Sequence, residues 1–261
     1  MSLEHVIFEQ IDAALVISFN RPNQRNAISA AMMKSIMEKL TEIDTNPSIR
    51  GVIITGGDDY FSAGADLREA PGLMSSPGTA VEYMTLWRRF HRSLEELSKP
   101  VIAAVEGFCL TGGFELTLAC DIRIAGEGSS FGITSSKIGT VPGSGGTQRL
   151  PRIVGQSNAL DMLFSGDPID ANHAHRIGLI NRLVPKGSAL SSAKQMVAHY
   201  ATRAPLSHKL MKRAVYGGVQ MDQQSAIEYE SFIVTSIYQT EDRLEGINAF
   251  LEKRSAKFKG K

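Results

Sequence analysis

The 261 residues carry a formal net charge of +1 and are 43% hydrophobic and 21% charged. Such a chain can bury a real core as one large domain or two small ones, and no broad field draws it to nucleic acid. No segment stays apolar for about 18 residues, so no membrane span is expected.

The opening "MSLEHVIFEQ" has no basic region followed by an apolar stretch, so a secretory signal is not expected. The two cysteines, Cys109 and Cys120, form no C-x-x-C, and a reducing, cytoplasmic setting is the expectation. "HVIFEQ" and "ALVISFN" read as strands joined by a turn at Ile11-Asp12, and "RPNQRNAIS" as a loop. Ser29 then caps a helix whose apolar face is Met32, Met33, Ile36, Met37, Leu40 and Ile43. "GVIITG" is a buried-type strand and "GDDYFSAGAD" a loop. "AVEYMTLWRRFHRSLEEL" is an amphipathic helix that ends before Lys99-Pro100. "VIAAVEG" is a strand, "ELTLAC" a helix and "DIRIAG" a strand. This alternation predicts an α/β fold with largely parallel pairing. Beyond Pro142 the pattern turns helical, with one strand in "GLINRLV". The reading is an α/β core with a helical appendage packed on it or on a neighbouring subunit.

Two glycine-bearing loops share one design. "SAGADL" (Ser62 to Leu67) and "LTGGFEL" (Leu110 to Leu116) each follow a strand and lead toward helix. Small residues let backbone N–H groups approach a ligand, and N–H groups at a helix start are unpaired and partly positive. Converging, the loops would point two donors at one oxygen, an oxyanion hole suited to an enolate or a tetrahedral intermediate. Taken singly, each also reads as a plain strand-to-helix turn.

"FSAGADL", "KPVIAAVEGFCLTGGFELTLACDIRIAG", "GTVPGSGGTQRLPRIVG" and "TEDRLEGINAFLEKRSAKFKG" together resemble the enoyl-CoA hydratase/isomerase (crotonase) superfamily, in family order along the chain. The resemblance implies a crotonase-like ββα spiral core over residues 1–200. It also implies a C-terminal helical region over 201–261 that serves trimerisation and covers coenzyme A, with assembly as a homotrimer or a dimer of trimers. The ligand would be an acyl-CoA thioester, with no cofactor beyond the coenzyme A of the substrate. The backbone N–H groups of Ala65 and Gly112 would grip the thioester oxygen. Arg25 and Lys253 would meet coenzyme A phosphates, Phe250 would cover the adenine, and Ala63, Asp66 and Leu67 would lie along the bound ligand. For the terminal basic stretch a solvated tail is the alternative.

Two glutamates serve hydratases of this family as acid and base. The first matches Glu115, which also reads as a capping residue at the third position of a helix with Gly112 as its N-cap. The second position, in "FGITSSKIG", holds Ser135. A hydroxyl is no base near neutral pH without an activator, but it can hold a water or a polar substrate group. Losing one acid–base partner typically costs about two to four decades in rate. Hydratase or isomerase chemistry, decarboxylation or thioester hydrolysis on the same fold, and acyl-CoA or RNA binding without turnover therefore stay open.

Met84 and Trp87, one turn apart, line either an acyl pocket or a core face. His91 reads as a surface residue of its helix, with a second acid–base role as the alternative. His173 and His175 stand two apart on a helix and cannot share a metal ion well. Cys109 reads as a packing residue, and "GSGGT" (Gly143 to Thr147) lacks the Lys-Ser/Thr end of a P-loop.

Overall fold

Three apolar segments of the chain each make a strand, turn a corner, make a second short strand, and run into a helix or helical turn. The computed structural model describes residues 5–69, 72 and 76–261. The first turn of this spiral is β3 (Gly51–Thr55) and β4 (Tyr60–Ser62), leading to α2 (Pro77–Glu96). The second is β5 (Val101–Val105), β6 (Phe108–Leu110) and α3 (Gly112–Leu118). The third is β7 (Ile122–Gly126), β8 (Ser130–Gly132), a 3-10 turn over Ser135–Ile138, and α4 (Gly146–Val154). The first strand of each turn enters one sheet and the second enters another. The larger sheet runs β1-β2-β3-β5-β7-β10 and the smaller β4-β6-β8-β9. Here β1 is Val6–Ile11, β2 Ala14–Phe19, β9 Ile169–Asp170 and β10 Arg182–Val184. From β2 to β10 the large sheet is parallel, and only the β1–β2 hairpin is antiparallel.

Side-chain alternation along buried strands divides the core. Leu15, Ile17, Val52, Ile54, Ala103 and Val105 face the main core with α1 (Ala30–Asp44) and α2. Val16, Ile53, Ile102, Ala104 and Ile124 face α7 (Ala189–Ala201) on the other side. The Ser29 hydroxyl accepts from Met32 N at 3.2 Å and caps α1 as the sequence predicts. Helices α5 (Gln156–Ser165) and α6 (Ala171–Arg176) lie between α4 and β10 in the chain. Helices α8 (Pro205–Gly218), α9 (Gln223–Ile237) and α10 (Glu241–Leu251) follow α7.

The expectation of a plain loop over "GDDYFSAGAD" is corrected, because Tyr60–Ser62 is a strand. Its partner β6 lies between the expected strand "VIAAVEG" and the expected helix "ELTLAC". Three residues are too few to show a period of two, and only pairing across the second sheet reveals them.

The position of α3 is fixed from below by one buried cation. Arg123 on β7 is 6% exposed; its Nε donates to Leu179 O at 2.7 Å and its Nη1 to Thr117 O at 3.1 Å and Cys120 O at 2.9 Å. Thr117 O also accepts Cys120 N at 3.2 Å, whereas Cys120 O just past α3 and Leu179 O take their hydrogen bond from the guanidinium. Arg123→Met keeps the stem but leaves Cys120 O and Leu179 O without that donor, and the expected loss is at least ~2 kcal/mol, read as a lower midpoint in urea unfolding.

Candidate active site

The loop after β4 is held by a small polar frame. Buried Asn26, with φ +54°, sends Nδ2 to Gly56 O at 2.8 Å and accepts Arg21 N on Oδ1 at 3.0 Å. Ser62 Oγ donates to Asn26 O at 2.8 Å and receives Gly64 N at 3.1 Å. Gly64 O accepts Ile28 N at 2.8 Å, and Asp66 N donates to Ile28 O at 3.0 Å. The Ala65 N–H between them has no acceptor among the described residues.

The second loop turns sharply at Thr111, a β-branched residue at φ +44° and ψ −116°. Such a backbone costs about 1–3 kcal/mol and persists only where its surroundings impose it. Thr111 N donates to Gly132 O at 2.8 Å, and its Oγ1 lies 2.9 Å from Thr134 Oγ1. The turn lets α3 begin at Gly112 directly after β6, so the Gly112 N–H is a first-turn amide, also without an acceptor among the described residues.

The two loops touch. A Cβ on Gly64 would stand 3.1 Å from Gly112 N, and one on Gly112 would stand 3.2 Å from Ala65 N. Gly64 also sits at φ +105°, so space and backbone both require glycine there. Ala65 N and Gly112 N are thus within ~6 Å of each other, a spacing that one oxygen bonded to both at ~2.9 Å would fill.

Glu115 follows on the same helix and is 2% exposed. The capping reading is corrected: Thr111 is the N-cap, and the carboxylate binds no amide of its own helix. Glu115 Oε1 instead accepts Ser144 N at 2.9 Å and Gly146 N at 2.8 Å, from the "GSGGT" loop before α4. Oε2 has no hydrogen bond among the described residues. Burial is the leading influence on this carboxyl and lifts it above its ordinary value of 4.5, against the pull of the Gly146 and Ser144 amides and the Arg149 charge. Ser135 is 3% exposed at the start of the 3-10 turn, and its hydroxyl makes no hydrogen bond among the described residues. The Thr111–Thr134 hydroxyl contact ties the strand end that leads to Ser135 to the loop that leads to Gly112.

His91 is corrected from a surface residue to a fully buried one, at 0% exposure. Its Nδ1 is 2.7 Å from Ser144 O, and its Nε2 has no partner among the described residues. Burial first, then the Arg149 charge, lower the ring to about 3, against the Ser144 hydrogen bond. Trp87 is buried beside it, with ring centroids 5.6 Å apart, and its Cη2 lies 3.0 Å from where a Gly112 Cβ would stand. Half-buried Met84 brings its sulfur within 2.8 Å of where a Gly143 Cβ would stand. Cys109 is wholly buried behind the second loop and burial pushes its thiol well up, as a packing residue requires.

The remaining sequence candidates are scattered. Arg25 is exposed at φ +49°, and its carbonyl accepts Ala63 N at 2.9 Å, which seats both at the first loop. Asp66 pairs with Arg21 Nη2 at 2.8 Å and accepts Arg68 N at 3.1 Å, so it braces the loop; Leu67 is exposed beside it. Phe250, 82% exposed on α10, lines a cavity with Thr202, Arg203, His208 and Met211, and Lys253 follows at the end of that helix. That cavity shares no lining residue with the Glu115 centre. Within the loop from Arg68 to Gly78, expected to shape the acyl pocket, residues 70, 71 and 73–75 lie outside the described residues. Sequence reasoning missed Ser144, Gly146 and the Arg149–Glu95 pair, because these meet Glu115 and His91 only through the fold.

Fold and site together define a ββα-spiral protein that sets two open amides beside an anchored, buried carboxylate. The family model described as enoyl-CoA hydratase/isomerase matches residues 9–261, and the chain belongs to that family. It is 39% identical over 259 residues to a crotonyl-CoA hydratase of Syntrophomonas wolfei, covering 99% of each chain. It is 37% identical to a 2,3-dehydroadipyl-CoA hydratase of Escherichia coli, covering 99% of this chain and 100% of that one. A crystal structure of an enoyl-CoA hydratase from Bacillus anthracis superposes with a TM-score of 0.94 at 36% identity, covering 99% of this chain and 100% of the other.

The raised Glu115 value has a thermodynamic consequence. Folding favours the neutral form relative to the unfolded chain, so its contribution is complete below about 4.5 and is lost as pH rises through the raised value. Glu115→Gln is neutral throughout. Thermal unfolding is expected to show the variant gaining on the parent as pH climbs from below 4.5 to neutrality.

Proposed function

We propose that the chain is an acyl-CoA enzyme of the hydratase/isomerase type. It stabilises a thioester enolate between the Ala65 and Gly112 amides and uses Glu115 as its acid–base group. The observation that carries the reading is the meeting of two acceptor-free amides beside a carboxylate that has one oxygen pinned and one free. In the hydration direction the thioester oxygen accepts both N–H groups as negative charge gathers on it. Glu115 Oε2 takes a proton from water as the hydroxide adds at the β-carbon. The same carboxyl then returns that proton to the α-carbon, and the enolate collapses. The Ser135 hydroxyl, which makes no hydrogen bond among the described residues, holds the water or a polar group of the acyl chain.

Arg25, Ala63 and Leu67 flank the first loop, where the coenzyme A portion would leave the site. No cofactor beyond that coenzyme A is invoked. Met84 and Trp87 bound the acyl side of the two amides. The apolar residues exposed on the C-terminal helices, such as Val215, Phe232, Leu244 and Leu251, favour a homotrimer or a dimer of trimers. The two cysteines are free thiols, in keeping with a cytoplasmic protein.

Because Ser135 supplies no acid, a reaction that needs a single carboxyl is a second reading: decarboxylation or thioester hydrolysis on the same fold. Crotonyl-CoA separates them. Fast loss of its conjugated-thioester absorbance is the expected result, whereas release of free thiol marks hydrolysis. Glu115→Gln is expected to lower turnover at least ~10²-fold with coenzyme A affinity unchanged in calorimetry. Gly112→Ala sets a methyl 3.2 Å from Ala65 N and is expected to cost turnover about 10²–10³-fold.

A further inference from the structure

Glu115 is held by a loop that has little reason to keep one shape. Residues 143–146 read Gly-Ser-Gly-Gly, and Gly145 sits at φ +104°. Glycine carries more conformational freedom than any other residue, so such a loop needs external anchors if its amides are to stay in place. Both amides that grip Glu115, on Ser144 and Gly146, belong to it.

The anchors converge on one carbonyl. Ser144 O accepts from His91 Nδ1 at 2.7 Å and from Arg149 Nη1 at 3.0 Å. Arg149 is itself clamped by Glu95, with Nε–Oε1 at 2.6 Å and Nη2–Oε2 at 3.0 Å. A carbonyl only accepts, so Nδ1 is the protonated nitrogen of His91 and Nε2 is bare. Among the described residues no carboxylate is hydrogen-bonded to the ring. The groups that face it are Trp87 and Phe90 of its own helix, the Ser144 carbonyl, and the Arg149 cation of α4, which disfavours a second proton. It is a neutral donor at all working pH values, fully buried, with one task visible.

We propose that His91 is a positioning residue for Glu115. By donating Nδ1–H to Ser144 O it fixes the turn of residues 143–146, and so holds the Ser144 and Gly146 amides on Oε1 while Oε2 stays free. The inference rests on the acid–base role assigned to Glu115 above. His91 touches neither substrate nor reacting atoms; it acts through one peptide.

The test compares His91→Asn with His91→Gln and runs Glu115→Gln alongside, with crotonyl-CoA as substrate. Asparagine carries its amide nitrogen near the place of Nδ1, and glutamine carries it one bond further out. Expected for His91→Gln is a kcat at least ~10-fold lower, because small misplacements of reacting groups cost one to two decades, with KM unchanged. The acid limb of its kcat–pH profile moves to higher pH, because two bonds that hold the carboxylate ionised are weakened. His91→Asn recovers both kcat and the position of that limb. A His91→Gln enzyme with the parent's kcat and pH profile overturns the proposal, as does a His91→Asn enzyme no better than His91→Gln, which would mark a packing role. If Glu115→Gln is inactive while His91→Gln is normal, only the positioning role falls; if Glu115→Gln turns over normally, both fall. The parent protein gives a check that needs no variant. Nitrogen-15 shifts of the His91 ring should show a protonated Nδ1 and a bare Nε2 from pH 5 to 9, about the range in which an ordinary histidine titrates, and the opposite tautomer or a titrating ring overturns the proposal.

Discussion

The close approach of two loops from successive turns of the spiral is the constraint on which the rest depends. Gly64 and Gly112 meet so closely that a Cβ on Gly64 would stand 3.1 Å from Gly112 N and one on Gly112 3.2 Å from Ala65 N, and that contact brings the two amide nitrogens together. Backbone amides are well suited to stabilising charge. They are fixed by the fold, do not titrate, and need no reorganisation as an oxyanion forms. The cost is local strain. Thr111 stands in a backbone region that β-branched residues avoid, and it is held there by Gly132 O and the Thr134 hydroxyl. The Arg123 side chain secures the far end of the same short helix. Seven residues of α3 are therefore tied at both ends, which is what a helix too short to be stable alone requires.

The electrostatics of Glu115 follow from that placement. Burial lifts its carboxyl, while two loop amides and the Arg149 charge hold it back. Opposed influences of this kind keep an acid–base group usable in both protonation states, and such groups gather at functional sites. Only one oxygen is restrained, so the carboxylate is oriented and still has a free atom for proton transfer. Ser135, which the proposed site assigns to the water or substrate, makes no side-chain hydrogen bond among the described residues. A water or substrate hydroxyl seated there would be positioned by hydrogen bonding and activated by Glu115 alone. This is the main way in which the proposed chemistry departs from a two-glutamate hydratase.

Much of the scaffold was legible in the chain. The helical spacing of Met32, Met33, Ile36, Leu40 and Ile43, with Ser29 ahead of it, marked α1 and its cap, and the unbroken apolar runs marked β3 and β5. The three-residue strands β4, β6 and β8 were not legible, since their partners lie in other turns of the spiral. The partners of Glu115 stand 29 and 31 residues away, and a local rule instead suggested a cap on its own helix. His91 was misplaced although a signal existed. Tyr83, Trp87, Phe90, His91 and Leu94 form one stripe at helical spacing, and that stripe is the buried face of α2. The pairing of Ala65 with Gly112 came from family resemblance, because no spacing within the chain implies that two loops some 45 residues apart will touch.

In the proposed site the two amides together polarise a thioester carbonyl. The most direct measurement is the carbonyl stretch of a bound acyl-CoA thioester, isotopically labelled at C1 and read by difference infrared or Raman spectroscopy. A clear shift to lower frequency is expected on binding to the parent protein, with loss of that shift in Gly112→Ala. A thioester that binds with its carbonyl frequency unchanged from water would contradict that polarisation.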